Sequence, residues 1–291
     1  MTFEGDPTLE EGVKLLGKLK ELLRNESVLN KALADFQHVF HDLGLTEEDS
    51  RQLSSEIVEI LEKGDNLENA EEYIFKQLSK TKTKNGQNLV KSLNEKLSER
   101  SKIIAEQISP HLGSVTGKVL DFGAGDGRIA QTIHNEFGLD IEGVDVRDYK
   151  STEVSIPLKV FDGEHLAVPD NTYQAAIMTN VLHHELDNEK IIRELSRVVK
   201  DRIVVIETIP AGDDEDEMKG DYGRTFLNDY LYNRLFHNAN ISVPGTYETP
   251  EGWVARFARH GWKVAFERDL GFDQPVIRDR HYLFVFEKIQ N

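Results

Sequence analysis

The sequence predicts a doubly wound α/β sheet preceded by an all-helical region. Three observations carry that prediction. Apolar residues recur at helical spacing as far as Pro110. Beyond Gly117, strand-like and helix-like stretches alternate, the grammar of a mostly parallel sheet with helices on its faces. The last two strand-like runs have no helix between them, so one of the pair is expected to run antiparallel.

In the N-terminal region Leu29, Leu33, Phe36 and Phe40 place an apolar stripe on one helical face. Leu53, Ile57 and Ile60 repeat the pattern, as do Leu67, Ala70 and Ile74. Leu89, Leu93 and Leu97, followed by Ile104 and Ile108, predict a long helix that stops at Pro110. Thr46 and Asp49 read as a capping box with Asp in place of Glu, and Gly44 and Gly64 stand where helices should end. No fixed-period repeat is present, which argues against a solenoid. Residues 1–109 are therefore read as a helical domain, either a lid or a dimerisation element, and 110–291 as the α/β domain.

The first predicted strand is Lys118–Phe122, ending in a glycine cluster and followed by a helix carrying Ile129, Ile133 and Phe137. Ile141–Val146, Leu158–Phe161 and Tyr173–Thr179 give three more strands, and a helix with Ile191, Ile192, Leu195 and Val198 follows the last of them. Arg202–Thr208 has the apolar run of an interior parallel strand. A helix near Trp253–His260 and strands at Trp262–Arg268 and His281–Glu287 complete the expected seven-stranded sheet.

The 291 residues include 35 Lys+Arg and 52 Asp+Glu, a formal charge of −17, and no cysteine. Zero cysteine excludes a disulfide scaffold, a thiolate nucleophile and any Cys-ligated zinc or iron–sulfur centre. The acidity argues against nucleic acid as a partner, because phosphate binding rests largely on Lys and Arg. No apolar run approaches the roughly 18 residues of a membrane span. The acidic start lacks the order of a secretory signal. A cytoplasmic protein is expected.

Asp121-Phe122-Gly123-Ala124-Gly125-Asp126-Gly127-Arg128 follows a predicted strand and opens a predicted helix. A dinucleotide loop, G-x-G-x-x-G, would place glycine or alanine at 128, where this chain has Arg; that disfavours a nicotinamide oxidoreductase. A carboxylate two residues before the first glycine suits a cationic ligand better than a pyrophosphate.

Here the chain resembles the class I S-adenosylmethionine-dependent methyltransferases, particularly those acting on small molecules, over about residues 118–208 plus the final strand pair. The resemblance implies a Rossmann-like sheet with an antiparallel last strand, S-adenosylmethionine as cofactor and S-adenosylhomocysteine as product. It implies that the loop of Gly123, Ala124 and Gly125 holds the methionine part, with Asp121 near its ammonium. Asp145, with Val146 beside it, matches the family's ribose-binding acid. Asp162 matches the acid that meets the adenine amino group, with Gly163 alongside. Asn180-Val181-Leu182-His183-His184 matches the segment at the mouth of the site. Two departures stand out: the link Arg147–Pro157 is short for a crossover helix, and Gln174 replaces a frequent acid.

Candidate chemistry gathers around His183, His184 and Glu207, the last near the carboxyl edge of the fifth strand. Neighbouring residues on a regular helix point about 100° apart, so His183 and His184 are not expected to share a metal, and none is assigned. The stretch 210–250 is too long for an ordinary connection. It begins with the run Asp213–Glu217, read as solvated charge, and continues with Tyr222, Arg224, Phe226, Tyr230 and His237. It reads as a substrate lid, with Tyr222, Arg224, Tyr230 and His237 as substrate contacts. The expected function is methyl transfer to O, N or S of a small molecule. The alternatives are a protein or RNA substrate, or a non-catalytic cofactor-binding protein. The Asn/Asp-Pro-Pro-aromatic motif of base-amino methylation is absent; Met178-Thr179-Asn180-Val181 stands in its place. A homodimer through the N-terminal helices is a further expectation.

Overall fold

The computed structural model describes residues 9–113, 115–210, 215–236, 241–272 and 274–289. Asp213, Asp214 and His237 lie outside the described residues, and so do the side chains of Glu215, Asp216 and Glu217. Among the described residues five helices come first: α1 (Leu9–Arg24), α2 (Glu26–Asp42), α3 (Glu47–Lys63), α4 (Leu67–Lys80) and α5 (Leu89–Ile108). Asn25, Thr46 and Asn66 cap α2, α3 and α4 by accepting from amides of the first turn. Asp49 completes its box by accepting from the Thr46 hydroxyl at 2.7 Å. The buried stripe of α2 is Val28, Ala32, Phe36, Val39 and Phe40, with Leu29 and Leu33 at its margin. Pro110 lies in a single 3-10 turn that ends α5.

The chain divides into two compact units, and the boundary falls within α5, between Leu97 and Ser98. The first unit combines the described residues of Met1–Leu97 with Pro210–Gly245 and Gln274–Asp279. Its second segment carries α8 (Glu215–Tyr230), which runs on as a π turn over Leu231–Phe236. Phe226, Tyr230 and Phe236 are buried, with the Phe236 ring 5.8 Å from that of Phe40. Charge joins the segments too. Arg224 of α8 donates to Asp35 of α2 at 2.5 and 3.0 Å, and Arg234 forks onto Glu71 of α4 at 2.8 Å on both oxygens. Such two-point pairs fix geometry as well as charge.

The second unit is the sheet and its helices: β1 (Val119–Phe122), α6 (Arg128–Phe137), β2 (Ile141–Asp145), β3 (Leu158–Val160), β4 (Tyr173–Thr179), α7 (Asn188–Val198), β5 (Val199–Ile209), α9 (Pro250–Arg259), β6 (Trp262–Gly271) and β7 (Arg280–Lys288). The order is β3-β2-β1-β4-β5-β7-β6. The first five strands are parallel, and β7 runs antiparallel to both its neighbours. The expected seven strands and antiparallel last strand are both present. Strand alternation divides the core into two layers. Leu120, Ala176, Met178, Val205 and Phe284 pack with α7 and α9; Val119, Ala175, Ile177, Val204 and Val285 pack with α6 and the end of α5. Strand order reverses between β1 and β4, the crevice where open parallel sheets bind ligands. Between β2 and β3 no helix forms. Gln131 of α6 instead accepts from the Ser155 amide and hydroxyl and from the Ile156 amide, at 2.7–3.1 Å. None of the helices is long and apolar enough to cross a membrane, among the described residues.

Candidate active site

The glycine loop leaves β1 with its backbone in the left-handed region, φ +72° at Gly123 and +54° at Gly125. At Gly123 glycine is also a packing requirement, because a Cβ there would stand 2.4 Å from Val181 Cγ2. That approach joins the loop after β1 to the turn after β4. At Gly125 a Cβ would meet nothing within 4 Å, so this backbone faces open space. The Gly123 and Ala124 amides donate to Val144 O, which seats the loop on the end of β2.

Two carboxylates frame this loop. Asp145 closes β2; its Oδ2 accepts from the Gly125 amide and its Oδ1 from the Val146 amide, both at 2.7 Å. Burial raises its pKa, against the opposing pull of those amides and that of Arg147. Asp121 is fully buried within β1, and its Oδ1 has no hydrogen-bond partner among the described residues. Burial, then the neighbouring charges of Asp145 and Asp126, push its pKa up to about 8. A dehydrated acid with an open oxygen is electrostatically suited to a cation.

Asp162 sits after β3 on an exposed turn, where its Oδ1 accepts from the amides of His165 and Glu164 at 2.8 and 2.9 Å. Those amides hold its pKa below the ordinary carboxylate value. A Cβ on Gly163 would lie 3.3 Å from Val146, so these two residues face each other. The loop beyond is gripped from α7. Arg197 donates to the carbonyls of Leu166 and Val168 and to Asp170, while Glu194 accepts from the Leu166 amide at 2.7 Å.

After β4 the chain turns at Asn180, with φ +54° and a buried side-chain oxygen that no described donor reaches. Glu207 of β5, fully buried, holds the following turn. Its Oε1 accepts from the amides of Val181 and Leu182 at 2.8 and 2.7 Å, and its Oε2 lies 2.6 Å from His183 Nδ1. His183 is 2% exposed. Its ring lies 4.2 Å from that of His184 and stacks on Tyr247 at 5.3 Å. The expectation that the two histidines diverge rested on a regular helix. Leu182–His184 is a 3-10 turn instead, and the rings lie side by side. Thr246 hydrogen bonds to the carbonyls of Leu182, His183 and Glu185.

One end of the sheet thus brings together Asp121, Gly123, Ala124, Gly125, Asp145, Val146, Asn180, His183, His184 and Glu207. Of the expected substrate contacts, Tyr222, Arg224 and Tyr230 belong to the helical unit. Tyr222 bonds Gly245 O, Arg224 bonds Asp35, and Tyr230 donates to Glu71 at 2.8 Å. Sequence reading did not single out Thr246, Tyr247, Glu194 or Arg197. The last two had a signal, their i,i+3 spacing on a helix; the first two had none. A cavity of about 670 Å³ lies among Gln174, Lys200, Arg202, Lys263, Glu287 and Lys288, at the amino ends of β4 and β5. Its walls are internally paired, Arg202 with Glu287 at 2.8 Å and Lys288 with the carbonyls of Ser196 and Val199. It is remote from the glycine loop and is not the site described above.

Residues 72–273 match the family described as methyltransferase domain. No curated protein sequence matches the chain. Among solved structures, a geranyl diphosphate methyltransferase in complex with S-adenosylmethionine is similar at 14% identity, over 69% of this chain and 90% of that one, with a TM-score of 0.51. The geranyl diphosphate C-methyltransferase of Streptomyces coelicolor A3(2), solved with magnesium, geranyl diphosphate and S-adenosylhomocysteine, is similar at 15% identity, over 69% and 84%, with a TM-score of 0.51. The [4+2]-cyclase SpnF is similar at 14% identity, over 65% and 81%, with a TM-score of 0.50. At these identities the structures speak to the fold; the family model, which spans more than half of the sequence, speaks to membership. The chain belongs to the methyltransferase-domain family of class I S-adenosylmethionine-dependent methyltransferases.

Proposed function

We propose that this methyltransferase moves the methyl group of S-adenosylmethionine to an oxygen, nitrogen or sulfur atom of a small molecule. The observation that carries the cofactor assignment is Asp121: a buried carboxylate oxygen without a partner, beside a glycine loop open to a ligand. The cofactor's ammonium fits that acid. Gly123, Ala124 and Gly125 present backbone to the methionine part. Asp145 keeps acceptor capacity for two ribose hydroxyls, since a carboxylate offers about four lone-pair positions and the Gly125 and Val146 amides take one on each oxygen. Val146 and Gly163 flank the adenine, Asp162 accepts from its amino group, and Asn180 offers a further open oxygen. When bound, the sulfonium supplies an already activated methyl carbon. The protein aligns the acceptor and excludes water.

The acceptor contacts are assigned to the His183–His184 turn. Glu207 is a positioning residue, because all its described bonds go to that turn. A small acceptor is favoured over nucleic acid by the −17 charge. The similar enzymes whose acceptor is geranyl diphosphate also use a small molecule. Since one protein of this fold is named a cyclase, cofactor binding alone does not decide the activity. The test is methyl-labelled S-adenosylmethionine incubated with the protein and a cell extract, alongside calorimetry with S-adenosylhomocysteine. Label in a low-molecular-weight product supports the reading. Binding without transfer, or label only in protein or RNA, overturns it.

A further inference from the structure

The link between β2 and β3 does more than carry the chain across the sheet. Without a crossover helix it packs directly against the glycine loop. The Ser151 amide donates to the Asp126 carbonyl at 3.1 Å. A Cβ on Gly127 would stand 2.8 Å from Leu158 Cδ1 and 2.9 Å from Val154 Cγ1, and one on Gly143 would meet both Leu158 and Ala124. The loop is thus held from two directions. Val144 and Asp145 of β2 take the amides of Gly123, Ala124 and Gly125, while the link backs Asp126 and Gly127. Val154 and Ile156 anchor the link in the core layer that α6 covers.

One side chain of α6 fastens this link. Gln131 Oε1 accepts from the Ser155 amide at 2.7 Å, the Ser155 hydroxyl at 3.0 Å and the Ile156 amide at 3.1 Å. Two of these donors are backbone N–H groups, so an acceptor must face them and the side-chain NH2 must point away. It does, donating to Asn135 at 2.8 Å. Lys150 adds a bond within the link, from Nζ to the Ile156 carbonyl at 2.9 Å. An apolar side chain of similar size at 131 would fill the same space and release all three donors.

We propose that Gln131 is a positioning residue for the cofactor. It clamps the link, and the link holds the Asp126–Gly127 half of the glycine loop in the form that receives the methionine part of S-adenosylmethionine. This rests on the methyltransferase reading above. The physical argument is one of populations. The loop turns at Gly125 and Gly127 with φ +54° and +81°, and glycine readily adopts other conformations. Contacts from the link select one of them. If loss of the clamp lowers the competent form to about a tenth of the population, apparent affinity falls about tenfold although no contact to the ligand is removed.

The experiment compares the full chain with Gln131→Leu, Gln131→Glu and Ser155→Ala, using calorimetry with S-adenosylhomocysteine and thermal unfolding. Gln131→Leu should bind about tenfold more weakly. Gln131→Glu keeps an acceptor for the same donors and should stay within about twofold of the parent. Nitrogen-15 spectra should show the Gly127 amide displaced in the leucine variant and restored in the glutamate one. Should Gln131→Leu not fold, Ser155→Ala, which removes one donor at an exposed position, carries the test and should weaken binding by a few-fold. A residue that merely stabilised the fold would lower the thermal midpoint and leave the affinity of the folded protein unchanged. That result, or an equal loss of affinity in Gln131→Leu and Gln131→Glu, would overturn the proposal. Failure of the parent to bind S-adenosylhomocysteine would instead refute the methyltransferase reading on which it stands.

Discussion

The Gly125 amide donates to Asp145 Oδ2 across 2.7 Å, tying the glycine loop to the end of the neighbouring strand. The acid therefore does two things. It fixes the loop, and it keeps lone pairs for a ligand.

Asp145→Ala should remove both. Hydrogen bonds to a charged group contribute about 1.5–3 kcal/mol each, so loss of two ribose bonds weakens binding on the order of 100-fold or more. Calorimetry with S-adenosylhomocysteine checks this. Asp145→Asn keeps one acceptor oxygen and should fall between the parent and the alanine variant. Equal affinity in the parent and Asp145→Ala would remove Asp145 from the site.

Asp121 makes cofactor binding depend on pH in an unusual direction. Its carboxyl is held at about 8 by burial and by Asp145 and Asp126, far above its ordinary 3.8. At pH 7 it is mostly protonated, and pairing with the cofactor's ammonium requires the carboxylate. Binding should therefore release about one proton near pH 7, and affinity should rise as pH increases from 6 to 8. Calorimetry in two buffers of different ionisation enthalpy measures that proton. Asp121→Asn should abolish the release; an unchanged release assigns the proton elsewhere.

The same acid and Asp279, which is buried in the helical unit and pushed up to about 8 by burial and then by Asp229, make stability depend on pH. For both, the folded pKa lies above the unfolded one, so between about pH 4 and 8 the folded state binds more protons. Stability is fully present below the unfolded pKa and is lost as pH rises through about 8. Thermal midpoints should decline from pH 6 to pH 9. Asp121→Asn and Asp279→Asn should each flatten part of that slope. A midpoint that climbs over this range would contradict both assignments.

Much of this was legible in the sequence, for local reasons. Asp121, the glycines and Asp145 are read from a loop and the strand after it, and the helices from stripes such as Phe36 and Phe40. Contacts between residues distant along the chain were not legible. Arg224 and Tyr230 read as substrate contacts from the position of their segment between the fifth strand and the next helix. Their partners Asp35 and Glu71 lie more than 150 positions earlier, and nothing local distinguishes an arginine that meets a substrate from one that meets a buried acid. Glu207 was visible as a carboxylate at a strand end, but its commitment to the His183 turn depends on the register between β4 and β5. The histidines were misjudged geometrically, because a three-residue 3-10 turn leaves no periodic trace.

Gly123 and Val181 give a prediction about how the cofactor loop and the histidine turn depend on each other. Gly123→Ala places a methyl group 2.4 Å from Val181 Cγ2 and asks alanine to hold φ +72°. The left-handed backbone costs an L-residue about 1–2 kcal/mol, and overpacking adds roughly 1–3 kcal/mol. The two costs separate in a double-mutant cycle with Val181→Ala. Removing the valine methyls relieves the clash and leaves the backbone strain. Val181→Ala alone should destabilise slightly, and the double variant should recover part of what Gly123→Ala loses. Denaturant titration of the four proteins measures the coupling, and the His183 nitrogen signals report whether the turn has moved. Additive losses, with no coupling between the two positions, would mean that the loop and the turn are not in contact in solution.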